Sequence, residues 1–208
     1  MTLRKKTLLT VVFLFISLIA IFFFVSHSIL SGNFARQEQH EVSEDVERVI
    51  SALDTELSNL QTTAMDWAEW DDTYTFVQDN NPEYQESNLG LDTFLGLRLN
   101  LFIITDSTGK VIFSKTINLD DREEVTLPEG INKYIYDNAP VVNHTDIKDS
   151  ISGFILLSEG PMVLASNPIL TSKGEGPIRG TLIMGRFIQQ SDIVRLAKIP
   201  WYLLPYSR

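Results

Sequence analysis

The sequence predicts an α+β protein in which a long N-terminal helix, continuous with a membrane anchor, packs on an antiparallel sheet of about five strands. Three observations support this fold class. A long apolar run begins at Thr7. From Val42 to Tyr74, apolar residues recur at steps of three and four, which is the helical period. In the second half, short β-branched segments alternate with turn residues, as antiparallel strands do.

The apolar run extends from Thr7 to about Leu30 and directly follows Arg4-Lys5-Lys6. About 20 such residues, each rising 1.5 Å, cross a hydrocarbon core of about 30 Å. The basic triplet favours a cytoplasmic N-terminus, so residues 31–208 are expected outside the membrane. Cleaved signal peptides carry a shorter apolar region of about 7–15 residues. The run therefore indicates an uncleaved anchor, although Ser26 and Ser28 leave cleavage open.

Charge and composition restrict the class of protein. Three of the 17 basic residues precede the anchor, leaving 14 basic against 27 acidic residues beyond it, a net charge of −13. Such a surface repels nucleic acid, so no nucleic-acid partner is expected. The chain has no cysteine, which excludes disulfides, thiolate nucleophiles and iron–sulfur clusters. No two histidines have the spacing of a zinc site, and neither a metal nor a cofactor is expected.

Residues 31–80 are predicted to form one membrane-proximal helix that ends at Asn80-Asn81-Pro82, because proline disfavours the helical conformation of the residue before it. Part of the apolar stripe fits heptads, including Val46 and Leu60, while Glu56 interrupts the alternate seam. The stripe suits either pairing with a second protomer or packing on the chain's own domain. We expect the early half to pair, giving a homodimer, and the later half to pack.

Leu101–Thr105 and Val111–Lys115 flank turn residues and predict a hairpin. A charged loop is expected over Asp120–Glu124. Short helices are predicted over Leu89–Leu99, near Glu129–Asn138 and over Gln189–Ile199, and further strands over Phe154–Leu157, Met162–Leu170 and Gly180–Phe187.

A run of short motifs follows in a fixed order. It begins with Trp67-Ala68-Glu69-Trp70-Asp71-Asp72-Thr73-Tyr74 and continues with Asn88-Leu89, Leu99-Asn100-Leu101, the Asp106…Gly109 turn, Ala165-Ser166-Asn167-Pro168-Ile169-Leu170, and Gly176-Pro177 ahead of Gly180-Thr181-Leu182-Ile183-Met184-Gly185-Arg186. From about Ser43 to Leu196 this set resembles the CHASE4 family of extracytoplasmic sensor domains. The resemblance implies a PAS- or Cache-like fold, placed between two membrane helices of a sensor histidine kinase or a diguanylate cyclase.

With this resemblance the chain divides into five ranges. These are a cytoplasmic tip (1–6), the anchor (7–30), the membrane-proximal helix (31–80), a CHASE4-like domain that includes most of that helix (43–199) and a tail (200–208). The tail holds two prolines and several aromatic residues. It is interpreted as either a surface segment or the start of a second span.

The aromatic and acidic motif on the predicted helix suggests a ligand site. Trp70, Asp71 and Tyr74 offer an indole, a carboxylate and a phenol on neighbouring helix faces, which suits a cationic or polar small molecule. In the alternative, the aromatic residues are core residues and Asp71 caps a loop or pairs with an arginine. The candidate ligand-binding residues are Trp70, Asp71, Asp72, Tyr74, Arg98 and Arg186. Asn143-His144-Thr145 is a sequon that makes Asn143 a glycosylation candidate.

We expect an extracytoplasmic signal-input domain that binds a small ligand and couples it to transmembrane signalling. It would belong to a single-pass protein of the cell membrane with a cytoplasmic N-terminus. The alternative is a standalone membrane-anchored binding or surface protein without a transmitter, and an anchored hydrolase is a third interpretation. The sequence contains no P-loop lysine and no nucleophile elbow, so the chain is not expected to be an enzyme.

Overall fold

The computed structural model describes residues 3–135 and 140–189, and side chains within them outside residues 28–45. It divides into two compact units, residues 1–49 and 50–208. The tail predicted over 200–208 lies outside the described residues, as does the helix predicted over Gln189–Ile199 beyond its first residue.

The first unit consists of the start of helix α1 (Leu3–Ala68). Its stretch from Leu3 to His27 spans 25 residues with a mean hydropathy of 3.1. Side chains along this stretch, such as Phe13 and Phe22, are largely exposed. By length and composition the stretch is sufficient to cross a membrane. It overlaps the anchor predicted over residues 7–30 from Thr7 to His27.

The prediction of one helix reaching Asn80 is wrong beyond Ala68, where α1 ends. A second helix begins at Asp71, and a third occupies the polar residues that follow. Asn81 starts this third helix, because its side chain accepts a hydrogen bond from the Tyr84 amide at 2.7 Å and Pro82 occupies the first helical position. In the described residues the helices after α1 are α2 (Asp71–Asp79), α3 (Pro82–Asn88), α4 (Leu91–Leu97) and α5 (Asn132–Ile135).

The strands form one antiparallel sheet in the order β3-β2-β1-β6-β5-β4. They are β1 (Leu101–Asp106), β2 (Val111–Asn118), β3 (Glu123–Val125), β4 (Ile151–Leu157), β5 (Gly160–Pro168) and β6 (Gly180–Phe187). The sheet has six strands rather than about five, because part of the expected charged loop pairs with the end of β2. The predicted hairpin is confirmed: Asp106 closes its turn by accepting hydrogen bonds from the amides of Thr108 and Lys110.

Alternate residues of the central strands supply two separate cores. On β1, Phe102 and Ile104 face a core formed with the helices, to which α1 contributes Leu60 and Trp67. Leu101 and Ile103 face a second core on the opposite side of the sheet, with Ile131 and Val142 from the connection between β3 and β4. This alternation follows from the two-residue period of a strand. It also confirms that the later half of the predicted stripe packs on the chain's own domain.

Strand β6 pairs with β1 along the whole length of β1. A Cβ atom at Gly180 would lie 1.9 Å from the carbonyl oxygen of Thr105. Glycine is therefore required where β6 begins, because any side chain would push the two central strands apart.

Arg186 on β6 connects the sheet to two helices. Its guanidinium donates to Glu56 of α1 at 2.5 Å, and also to the carbonyl oxygens of Leu97 and Arg98 at 2.7 and 2.8 Å. The side chains of Arg186 and Glu56 are only 15% and 16% exposed. Glu56 therefore interrupts the apolar seam because it neutralises a buried arginine, and Arg186 satisfies backbone carbonyls where α4 ends.

Replacing Arg186 by Met should lower the free energy of unfolding by roughly 3–5 kcal/mol, because a buried carboxylate loses its counter-charge. Urea unfolding of the full chain in detergent measures this change. The control is Glu124→Gln, since Glu124 forms the exposed ion pair with Lys115 at 3.7 Å and should contribute less than about 1 kcal/mol. Equal effects of the two substitutions would contradict a structural role for the Arg186–Glu56 pair.

Candidate ligand-binding site

The junction between α1 and α2 is the first feature of the candidate site. Trp70 adopts an extended conformation (φ −88°, ψ 134°) and starts α2. Its ring stacks on that of Trp67, with centroids 4.5 Å apart and an interplanar angle of 21°. Trp67 is buried and also contacts Phe102 of β1 edge-on. The two indoles are thus part of the helix-side core, and this packing turns the chain after Ala68.

Asp71, in the first turn of α2, binds the loop between β5 and β6. One carboxylate oxygen accepts from the Ser172 amide at 3.0 Å, and the other accepts from the Ser172 hydroxyl. Hydrogen bonds from the Ser172 hydroxyl and then from its amide hold the pKa of Asp71 below its usual value, although the carboxylate is exposed. Asp71 therefore caps a loop, as in the alternative drawn from the sequence.

Tyr74 contacts the same loop one helical turn later. Its hydroxyl donates to the Pro177 carbonyl oxygen at 3.4 Å, and the Arg179 guanidinium lies 5.1 Å from the ring centroid. Gly176 has a φ of +101°, and a Cβ there would lie 3.2 Å from the Tyr74 hydroxyl. Asp71 and Tyr74 thus clasp residues 171–179, and we call this set of contacts the loop clasp.

The six residues predicted from the sequence fall into separate places. Trp70, Asp71 and Tyr74 line the junction and the loop clasp, whereas Asp72 lines a polar depression together with Asp79 and Glu83. The nitrogens of Arg186 bind Glu56 and the end of α4, where Arg98 is the C-cap with a φ of 55°. The structure therefore places the predicted arginines in the connection between sheet and helices. Asn143, the glycosylation candidate, is exposed.

A buried histidine organises the segment that leads into β4. The Ser166 hydroxyl donates to the Val141 carbonyl oxygen at 2.6 Å, which uses its single proton. It must then accept from Nε2 of His144, 2.8 Å away. In the neutral ring Nδ1 carries no proton, so its approach to the Asp149 carboxylate at 3.3 Å becomes a hydrogen bond only when the imidazole is protonated. Burial lowers the pKa of His144, and Asp149 offsets only part of that effect.

A cavity of about 280 Å³ lies beside the end of α1. Its lining includes Met65 of α1, Glu69, which directly follows that helix, and residues 147–150, which precede β4. The end of β5 contributes Asn167, which is 2% exposed, and the following loop contributes Leu170. The lining therefore combines apolar side chains with a buried amide and charges of both signs, which is the usual composition of a small-molecule site.

Sequence reasoning gave no role to Asn167, Gln61 or His144. Asn167 carried a usable signal, because it is an amide near the end of a largely apolar strand and buried polar groups need partners. Its partner, Gln61 of α1, donates to Asn167 Oδ1 at 2.8 Å across 106 residues of chain. No local pattern indicates that pairing.

This α+β architecture, with helices α1–α4 on one face of an antiparallel sheet, matches an extracellular domain of known structure. That domain belongs to vpHK1S-Z8, a protein assigned as a histidine kinase. The two agree with a TM-score of 0.50 at 11% sequence identity, over 74% of this chain and 57% of the other. The likeness defines the class of fold.

The chain belongs to the CHASE4 family, whose domain model matches residues 52–199. The resemblance read from the ordered motifs is thereby confirmed. The chain is also 31% identical over 176 residues to the methanogenesis regulatory histidine kinase FilI of Methanothrix harundinacea (strain 6Ac). That match covers 85% of this chain, which spans about one fifth of the length of FilI. The family and these relatives support a sensory input domain.

Replacing Asp71 by Asn should loosen the loop clasp without unfolding the domain, because the exposed carboxylate is the acceptor for two hydrogen bonds from Ser172. Amide exchange of Ser172 should accelerate at least several-fold. Hydrogen exchange read by NMR measures this, and Asp72→Asn, one residue further along α2, is the matched control. Equal exchange rates in the two variants would disprove the clasp.

His144 should make the domain less stable as the pH falls below about 6.5. Its folded-state pKa is lowered, so the unfolded chain binds the proton more readily. The stabilising contribution is therefore present above the unfolded-state pKa and is lost as the pH falls through the folded-state value. Urea unfolding at pH 7.5 and 5.5 should show this loss, and His144→Gln should reduce it. An imidazole pKa above 6.5 by NMR titration would contradict the assignment.

Proposed function

We propose that this chain is the input module of a membrane-anchored receptor: it binds a small ligand outside the membrane and transmits the event through helix α1. The observation that carries the proposal is the composition of α1. This one helix includes the apolar stretch Leu3–His27, and its last turn carries Met65, which lines the cavity together with Glu69, the first residue after the helix. A ligand in that cavity contacts the helix itself, so it can shift its position by differential binding.

The anchoring of α1 in the domain supports this proposal. Leu60, Ala64 and Trp67 are buried in the helix-side core, and the Glu56–Arg186 ion pair fixes the helix to β6. Packed interfaces of this kind change between discrete arrangements rather than deforming continuously. The end of α1 would therefore move as a unit with the cavity wall.

The proposal includes a homodimer formed by the early half of the helical stripe. Val46 and Ile50 are each 53% exposed, although they continue the apolar pattern of the buried positions. In a dimer these side chains would pack on their counterparts, as in a coiled-coil seam. A Val46→Cys variant in membranes should then form disulfide-linked dimers under mild oxidation, and Glu47→Cys, one position round the helix, should do so far less. Equal yields would reject this interface.

Transmission through α1 can be tested without knowing the ligand. In a hybrid receptor, this chain replaces the 176 matched residues of FilI, and autophosphorylation is measured in membrane vesicles. One to four alanines are inserted after Val46, each rotating the helix by about 100°. Phosphorylation should vary with the number of residues and return near its starting level at four.

The matched control places the same insertions after Asp121, in the loop between β2 and β3, where they should leave phosphorylation nearly constant. A response to the α1 series that is flat, or that falls steadily with each added residue, would contradict transmission by this helix.

A further inference from the structure

We propose that the cavity beside the end of α1 is the ligand site, and that its ligand is a small zwitterion that carries an ammonium and a carboxylate group, such as an amino acid. The inference deepens the proposed sensory function and rests on it. The site is distinct from the aromatic and acidic residues singled out in the sequence, most of which serve the junction and the loop clasp.

The first argument is a pair of incompletely satisfied amides. Gln61 donates to Asn167 and to the Ser150 hydroxyl. Within the described part of the chain, Gln61 Oε1 and Asn167 Nδ2 are buried without a hydrogen-bond partner. Turning both amides over exchanges their roles and still leaves one carbonyl and one NH₂ unsatisfied. Such groups are costly in a folded domain, and each calls for a partner. Asn167 lines the cavity, so a ligand there can supply the partner of its amide.

The second argument is the charge distribution of the lining. Glu69 directly follows α1, whereas Lys148 belongs to the segment before β4, next to Asp149, and all three line the cavity. A purely anionic ligand would meet two carboxylates in the lining, within a domain of strongly negative net charge. A purely cationic ligand would meet Lys148. A zwitterion complements the lining charges of both signs, with its ammonium towards Glu69 and its carboxylate towards Lys148 and the Asn167 amide.

The third argument is the size and apolar character of the cavity. Its volume of about 280 Å³ is slightly below the range of about 300–1,000 Å³ typical of drug-sized ligands. Met65, Pro168 and Leu170 supply apolar lining. A molecule with two charged groups at one end and a short apolar side chain therefore suits the cavity better than a larger ligand.

The arrangement also gives the ligand contact with both the helix and the segment held by His144. Glu69 directly follows α1, and Lys148 lies next to Asp149, the residue that faces His144. A zwitterion would bridge the two through its opposite charges. Occupancy would thus draw the end of α1 towards the segment before β4.

The test is isothermal titration of the full chain in detergent with each of the twenty L-amino acids. The amino acid that binds best is then compared with its carboxylic acid analogue lacking the ammonium group and with its amine analogue lacking the carboxylate. Both analogues should bind at least tenfold more weakly. A carboxylic acid that binds as well as its amino acid would overturn the zwitterion assignment, and so would the absence of binding by all twenty.

Variants locate the site. Glu69→Gln and Lys148→Gln should each weaken binding at least tenfold, and Asn167→Leu should do the same. Glu86→Gln on α3 and Lys110→Gln in the β1–β2 turn are matched controls outside the cavity and should bind like the wild type. Both cavity charges lie near the surface, so their loss should leave the domain folded even if Asn167→Leu unfolds it.

Wild-type affinity in both Glu69→Gln and Lys148→Gln would place the ligand elsewhere and overturn the inference. The alanine-insertion series in α1 contains no ligand, so its result separates a failure of this site from a failure of the proposed sensory function.

Discussion

The last carbonyl groups of a helix need hydrogen-bond donors from outside it, and in this protein the loop after β5 supplies one. The Leu170 amide donates to the Ala68 carbonyl oxygen at 3.0 Å. This contact joins the end of α1 to the sheet at the point where the chain turns. The stacking of Trp70, the start of α2 and the loop clasp all depend on it. The cavity also lies at this contact, because its lining includes Leu170 and Glu69, the residue after Ala68.

Features fixed by local chemistry were readable from the sequence. The hairpin over β1 and β2 was predicted because Asp106 and Gly109 define its turn, and the N-terminal apolar helix was predicted because its residues are apolar over about 20 positions. The end of α1 was not predicted, since neither proline nor glycine lies near Trp70 and the apolar period continues into Tyr74. The carbonyl oxygen of Ala68 accepts from the amide of Leu170, a residue about one hundred positions further on, and no helical pattern carries that information.

Glu56 and Asn167 illustrate how much of a site a sequence contains. Both are visible as polar residues in apolar patterns, so the positions can be marked for attention. Their partners cannot be identified from the sequence, because Arg186 lies 130 residues from Glu56 and Gln61 lies 106 residues from Asn167. These two buried polar groups also differ in how far their hydrogen-bonding capacity is satisfied. The carboxylate of Glu56 is neutralised by a guanidinium and stabilises the fold, whereas the amide of Asn167 retains an unsatisfied NH₂ beside a cavity.

The two edges of the sheet are not equivalent. At one edge, β3 is three residues long and carries Glu123 and Glu124, which discourage another strand from pairing with it. At the other edge, β4 is seven residues long and displays Phe154 and Leu156, the latter 79% exposed. A sheet in which only one edge accepts a further strand can pair with one neighbour through a two-fold axis, and then no such edge remains. Such a sheet cannot extend into an open-ended β fibre, because a fibre needs two edges that accept strands.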